Sequence, residues 1–114
     1  MKRKYDLEER TFQFALGCRK LVQGLHQGIS NYEDGKQLIR SSGSVGANYI
    51  EANEKISKKD FVYRLKIARK EAKESKYWLL LLKEMNSERK QINKLIDEAA
   101  QLQSILSAII NKFN

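Results

Sequence analysis

Residues 40–54 read RSSGSVGANYIEANE, and the fold turns on whether Gly43 and Gly46 mark a loop or lie inside a helix. Apolar spacing decides for the helix. Leu38, Ser42, Val45, Tyr49, Ala52 and Ile56 recur at intervals of four and three, the period of one helical face. The register passes through both glycines without slipping. Each interior glycine costs a helix roughly 0.5–1 kcal/mol relative to alanine, so a compensating contact is expected. Ile39, Gly43, Gly46, Ile50 and Asn53 keep the same spacing on an adjacent face. Small residues there predict close packing of another helix at Gly43 and Gly46, with a local kink as the alternative. A nucleotide loop is disfavoured, because Ala47-Asn48 follow Gly46 where a phosphate loop needs Lys and Ser or Thr. Gly43 and Gly46 match a GXXG clamp literally, but that module needs flanking strands, and no strand-like alternation is present.

Three further segments carry the same period. Leu7, Thr11, Phe14, Cys18, Leu21 and Leu25 form the first seam. Phe61, Leu65, Ala68, Ala72, Ser75, Leu79 and Leu82 form the third, and Ile92, Leu95, Ala99, Leu102, Leu106, Ile109 and Phe113 the fourth. Gly28 and Ser30-Asn31 separate the first two helices, with Ser30 or Asn31 as the expected N-cap. Ser57-Lys58-Lys59-Asp60 reads as a capping box with Asp in the Glu/Gln place. Asn86-Ser87-Glu88 closes the third helix and opens the fourth. Short connections make successive helices antiparallel neighbours, so residues 1–114 are expected to form one all-α domain, an up-down-up-down four-helix bundle.

Composition agrees. The 114 residues include no proline and six glycines, with 32% charged and 41% hydrophobic residues, a balance that favours long helices around a single core. The lone cysteine, Cys18, excludes an internal disulfide and suits a reducing compartment. The basic start MKRKYDLEER lacks the apolar stretch of a secretory signal. The longest apolar run, Tyr77–Leu82, is far short of the ~20 residues that span a bilayer. A cytoplasmic protein without membrane segments is the expectation.

The net charge is +8, which suggests an anionic partner. Residues 55–85 hold ten Lys/Arg against four Asp/Glu, so most of the surplus sits on the third helix. Lys59, Lys66, Arg69, Lys70, Lys73 and Lys76 point broadly away from its core seam and could track the phosphate backbone of RNA or DNA, with steep salt dependence. A solvated helix face explains the run equally well. No aromatic residue is read on that face, which leaves base stacking unsupported. A lateral stripe of Arg64, Ile67, Glu71, Glu74, Trp78 and Leu81 adds a third face, and Tyr77–Leu82 is apolar all round. Such a helix wants burial on every side. Self-association through Ile67, Trp78 and Leu81 is therefore expected, against the alternative of a wide core in a monomer.

Chemistry-bearing motifs are scarce. The single histidine, His26, follows Gln23 rather than the Glu that a Glu-x-x-His di-iron helix supplies, so no metal or cofactor is expected. Cys18 lies on a core seam and has no His partner in any motif; it reads as a small hydrophobe. Asn48 and Glu51 share an edge of the second helix, while Glu71 and Glu74 share the lateral stripe of the third. Carboxylates beside an apolar seam need partners. Arg40, Arg64 or a neighbouring copy's lysine would serve, making the cluster structural; an acid pair or a cation site is the alternative.

Residues 35–84 carry a resemblance. Gln37, Leu38, Arg40, Ser41, Ser44, Gly46, Ala47, Asn48, Glu51 and Ala52, followed by Asp60, Phe61, Ile67, Ala68, Glu71, Ala72, Glu74, Tyr77, Trp78 and Leu79, match the Q-L-x-R-S-x-x-S-x-G-A-N-x-x-E-A, D-F and I-A-x-x-E-A-x-E-x-x-Y-W-L runs of the bacterial 23S rRNA intervening-sequence proteins. Tyr49 and Ile50 depart mildly from that pattern, and the outer helices resemble the family mainly in length and periodicity. The resemblance implies an antiparallel four-helix bundle assembled as a cyclic homopentamer and implies no enzymatic role. The accessory variability determinant of diversity-generating retroelements, a basic pentamer that binds nucleic acid and a reverse transcriptase, is similar in fold only. The resulting expectation is a non-enzymatic oligomer that binds nucleic-acid backbone or a nucleic-acid-processing partner, the alternative being a protein-only scaffold.

Overall fold

A computed structural model describes the backbone of residues 2–54 and 57–113, with side chains from Leu7 onward. Four helices follow in order: α1 (Lys2–Gln23), α2 (Ile29–Asn53), α3 (Lys58–Met85) and α4 (Gln91–Asn111). Each packs on its sequence neighbour and α4 closes against α1, while the diagonal helices lie farther apart across the core. That is the antiparallel four-helix bundle, a rod with extents of 45 × 24 × 20 Å. α2 and α3 share the most extensive contact.

The seams drive the packing. Leu7, Phe14, Cys18 and Leu21 from α1 meet Leu38, Val45, Tyr49 and Ala52 from α2 in one buried cluster. Leu65, Ala68, Ala72, Leu79 and Leu82 of α3 and Ile92, Ala99, Leu102, Leu106 and Ile110 of α4 complete it. Ile56, expected on the α2 seam, and Lys55 lie outside the described residues. At the end of α4 the buried position is Ile110, with Ile109 only partly covered. Phe113 falls beyond the helix, 39% exposed, and meets Phe61 edge-on with ring centroids 5.3 Å apart.

Buried polar groups are matched. Ser41 and Ser75 bring their hydroxyls to 2.8 Å across the α2–α3 contact, and Ser75 donates to the Glu71 carbonyl. The Thr11 hydroxyl donates to the Glu8 carbonyl at 3.0 Å. Among the described residues no buried side-chain polar atom lacks a partner, as a stable core requires.

Ser57 caps α3, its hydroxyl accepting the Asp60 N–H at 3.1 Å. The expected cap of α2 differs. Gly28 is the residue preceding the helix and no side chain caps it, because Ser30 and Asn31 both lie within its first turn; Asn31 is engaged elsewhere. Its amide donates to the His26 carbonyl at 3.0 Å and exchanges two hydrogen bonds with the Asn86 amide, at 3.1 and 2.8 Å. Asn86, 2% exposed, is the residue that ends α3. The pair ties the α1–α2 turn to the α3–α4 turn at the same end of the rod.

The two α2 glycines meet different neighbours. A Cβ built on Gly46 would lie 2.8 Å from Thr11 Oγ1 and 3.1 Å from Thr11 Cβ, so α1 comes close there. At Gly43 the neighbour is the Arg19 guanidinium, 3.1 Å away, which crosses α2 to reach the Ile39 carbonyl.

Candidate basic interface

The outermost line of α3 is set by helical geometry. Lys59, Lys66, Lys70 and Lys73 are all exposed, and no ion pair engages Lys66, Lys70 or Lys73 among the described residues. Arg69 and Lys76 are half-buried; Arg69 turns toward α4, where its Nη1 donates to Ser107 Oγ at 3.3 Å. Between the helices lies an open cleft of about 400 Å³, lined by Lys66, Arg69, Lys70, Lys73, Gln103 and Ser107. Gln103 and Ser107 belong to the neighbouring helix, and sequence reasoning did not single them out.

The expectation of a face without aromatics is corrected. Tyr63 and Tyr77 are 61% and 55% exposed. Lys59, Tyr63, Lys66, Lys70, Lys73 and Tyr77 follow one four-three spacing, so both rings stand on the lysine line. The signal was in the sequence. Reading the stripe broadly enough to include Arg69 and Lys76 obscured it.

On the opposite flank α3 meets α2 through charge. Arg40 forks between two carboxylates, Nη1 to Glu71 at 3.3 Å and Nη2 to Glu74 Oε2. Glu74 also accepts the Trp78 indole N–H at 3.0 Å. That donation, with Arg40, holds the Glu74 carboxyl below the ordinary glutamate range, while Glu74 raises the Arg40 pKa. Arg64 Nη1 donates to Asn48 Oδ1 at 3.1 Å, and Asn48 in turn donates to the Ser44 carbonyl. Glu71 and Glu74 thus face α2 and its arginine, although Lys70 of the outer line also favours the ionised Glu74. Glu51 is exposed one turn beyond Asn48.

Trp78, Ile67 and Leu81 are half-buried, with Trp78 packed against the core. Tyr77 and Leu80 are the exposed members of the Tyr77–Leu82 run. An apolar opening lies across the rod, between α1 and α2. There Phe12 is 61% and Ile50 50% exposed. They flank a groove of about 410 Å³ whose floor includes Ala15, Leu16, Gly43 and Gly46. The sequence reading placed Ile50 on that side but did not find Phe12.

Cys18 is fully buried, and burial pushes its thiol up to about 12, which suppresses the reactive thiolate. His26 is exposed in the α1–α2 turn. Among the described residues no three His, Cys, Asp or Glu side chains cluster as a metal site, and no helix is long and apolar enough to cross a membrane.

Comparison with known proteins places this architecture. A crystal structure from Bacteroides thetaiotaomicron, a protein of unknown function from the S23 ribosomal protein family, is similar with a TM-score of 0.80 and 30% identity. The match covers 91% of this chain and 97% of that one. No curated protein matches the chain. The family model described as 23S rRNA-intervening sequence protein matches residues 3–108, spanning all four helices, and the chain belongs to that family.

Proposed function

We propose that this chain is a non-enzymatic, single-domain cytoplasmic protein that binds the backbone of RNA or DNA through the outward face of α3. The observation that carries the reading is the α3–α4 cleft. Three lysines that make no ion pair among the described residues line it together with Arg69 and the neutral donors Gln103 and Ser107. A polyanion gains most where cations are fixed along a line and no acid intervenes. Lys59 continues the line one turn beyond Tyr63, and Lys76 lies half-buried beside it.

Assembly would multiply that charge. The family resemblance implies a cyclic homopentamer, and the Phe12–Ile50 groove is an apolar surface suited to contact between copies. The same groove supports a second reading, a scaffold that engages only protein.

Fluorescence anisotropy with labelled RNA and DNA oligomers at two salt concentrations separates the readings. Backbone binding predicts affinity that falls steeply with salt and is abolished by joint charge reversal of Lys66, Lys70 and Lys73. Neutralising each lysine to Gln lowers the salt slope by about 0.7 for a single strand. A wild-type protein that binds neither oligomer at low salt leaves the scaffold.

A further inference from the structure

We infer that the outward face of α3 recognises unpaired bases as well as phosphates: Tyr63 and Tyr77 are stacking platforms at the two ends of the lysine line, and the ligand is single-stranded nucleic acid. The inference rests on the backbone-binding reading above and narrows it from any polyanion to a strand whose bases are free.

The argument begins with exposure. A tyrosine on a helix normally turns its ring toward apolar neighbours, because the ring is most of its surface. Tyr49, the core tyrosine of α2, does so at 5% exposure. Tyr63 and Tyr77 instead stand at 61% and 55% exposed. Among the described residues neither ring has a lysine over its face, although Tyr32 and Phe113 both do. Tyr77 is steadied by an edge-on contact with Trp78, ring centroids 5.2 Å apart, while more than half its surface stays open. Rings held out to solvent at both ends of a cationic line have little structural purpose there.

Position supplies the rest. Fourteen residues separate the two rings, about 21 Å along the axis, and Lys66, Lys70 and Lys73 fall between them on the same face. A strand laid along α3 would set phosphates on the lysines and the cleft donors while bases reach the terminal rings. Alternating cations and aromatic faces are how proteins hold single strands without reading sequence, each stacked base contributing up to tenfold or more in affinity. A duplex keeps its bases stacked internally and offers the tyrosines nothing. Glu71 and Glu74 are paired with Arg40 on the α2 side, and of the three lysines between the rings Lys70 also interacts with Glu74.

The sugar is not discriminated by these groups, so RNA and DNA oligomers are tested side by side. Three probes of equal length are compared: a mixed-sequence single strand, the same backbone with abasic sites, and a blunt duplex. The expected result is tightest binding of the normal strand, with Tyr63→Ala and Tyr77→Ala each weakening it about tenfold at an unchanged salt slope. Tyr→Phe variants should retain affinity, because the ring and not the hydroxyl carries the contact. Trp78 is the only tryptophan and lies beside Tyr77. Its fluorescence should therefore change on binding to wild type and to Tyr63→Ala, and fail to change with Tyr77→Ala. Abasic and normal strands bound equally, with the tyrosine variants unaffected while lysine reversal abolishes binding, would overturn the stacking role and leave the backbone reading intact. No binding of any probe at low salt would overturn both.

Discussion

Gly43 and Gly46 share a helix face but not an environment, and alanine separates them. At Gly46 the added methyl meets Thr11, which is 1% exposed and hydrogen-bonded to its own helix. That side chain cannot swing aside, so α1 and α2 must move apart. Overpacking of this kind costs about 1–3 kcal/mol, more than the ~0.5–1 kcal/mol that alanine gains in helix propensity. Gly46→Ala should lower stability by about 1 kcal/mol. At Gly43 the methyl meets only the tip of Arg19, a long exposed side chain that can shift by giving up its 3.4 Å bond to the Ile39 carbonyl. Gly43→Ala should be neutral or stabilising by up to ~1 kcal/mol. Urea unfolding of both variants at pH 7 checks the pair; equal losses would mean that the two positions are equally crowded. The glycine spacing was legible as a demand for closeness, but which glycine meets a fixed side chain and which a movable one depends on α1, far away in sequence.

Among the elements, α3 is where reading and structure diverge most usefully. Its core seam was legible because one period governs Leu65 through Leu82 and every member is buried. Its flanks were harder, since a helix wheel gives direction but not neighbours. Arg69 lies near the lysines on the wheel, yet it bonds to Ser107 of α4. Gln103 and Ser107 enter the cleft from α4, whose own sequence marks them only as polar. The α2 flank has a pH signature. The indole N–H of Trp78 and the guanidinium of Arg40 favour ionised Glu74, so its folded pKa lies below its unfolded one. The resulting stability is full above the unfolded glutamate pKa and is lost as pH falls through the lowered folded value. Glu74→Gln removes the charge while retaining an acceptor for Trp78. The stability gap between wild type and variant should therefore be largest near neutral pH, at most about 1 kcal/mol for so exposed a group, and close in acid. Thermal melts of both proteins from pH 7 to pH 3 check this; a gap independent of pH would assign the contribution to shape and not to charge.

For the whole molecule, the question is which surface brings copies together. Ile67, Trp78 and Leu81 looked like the excess apolar flank of α3 when the helix was considered alone. Within the bundle, Trp78 packs on the core and donates its N–H to Glu74, so little of it remains to cover a neighbour. Phe12 and Ile50 are more open, on separate helices, with a small-residue floor between them. A flat apolar floor with raised walls is where another helix would seat, burying two large side chains worth about 1.5–3 kcal/mol each. If the homopentamer forms as the family resemblance implies, Phe12→Glu and Ile50→Glu should each weaken assembly at least tenfold, leaving folded monomers with unchanged circular dichroism. Trp78→Glu should act differently, lowering the melting temperature before it changes the sedimentation coefficient, because it opens the core first. Sedimentation velocity of wild type and the three variants at micromolar concentration distinguishes these cases. A monomeric wild type would remove self-association, and dissociation by Trp78→Glu at full thermal stability would return the interface to α3. The α1–α2 groove lies across the rod from the lysine line, so contact there would leave every copy's basic face outward and let several faces engage one strand.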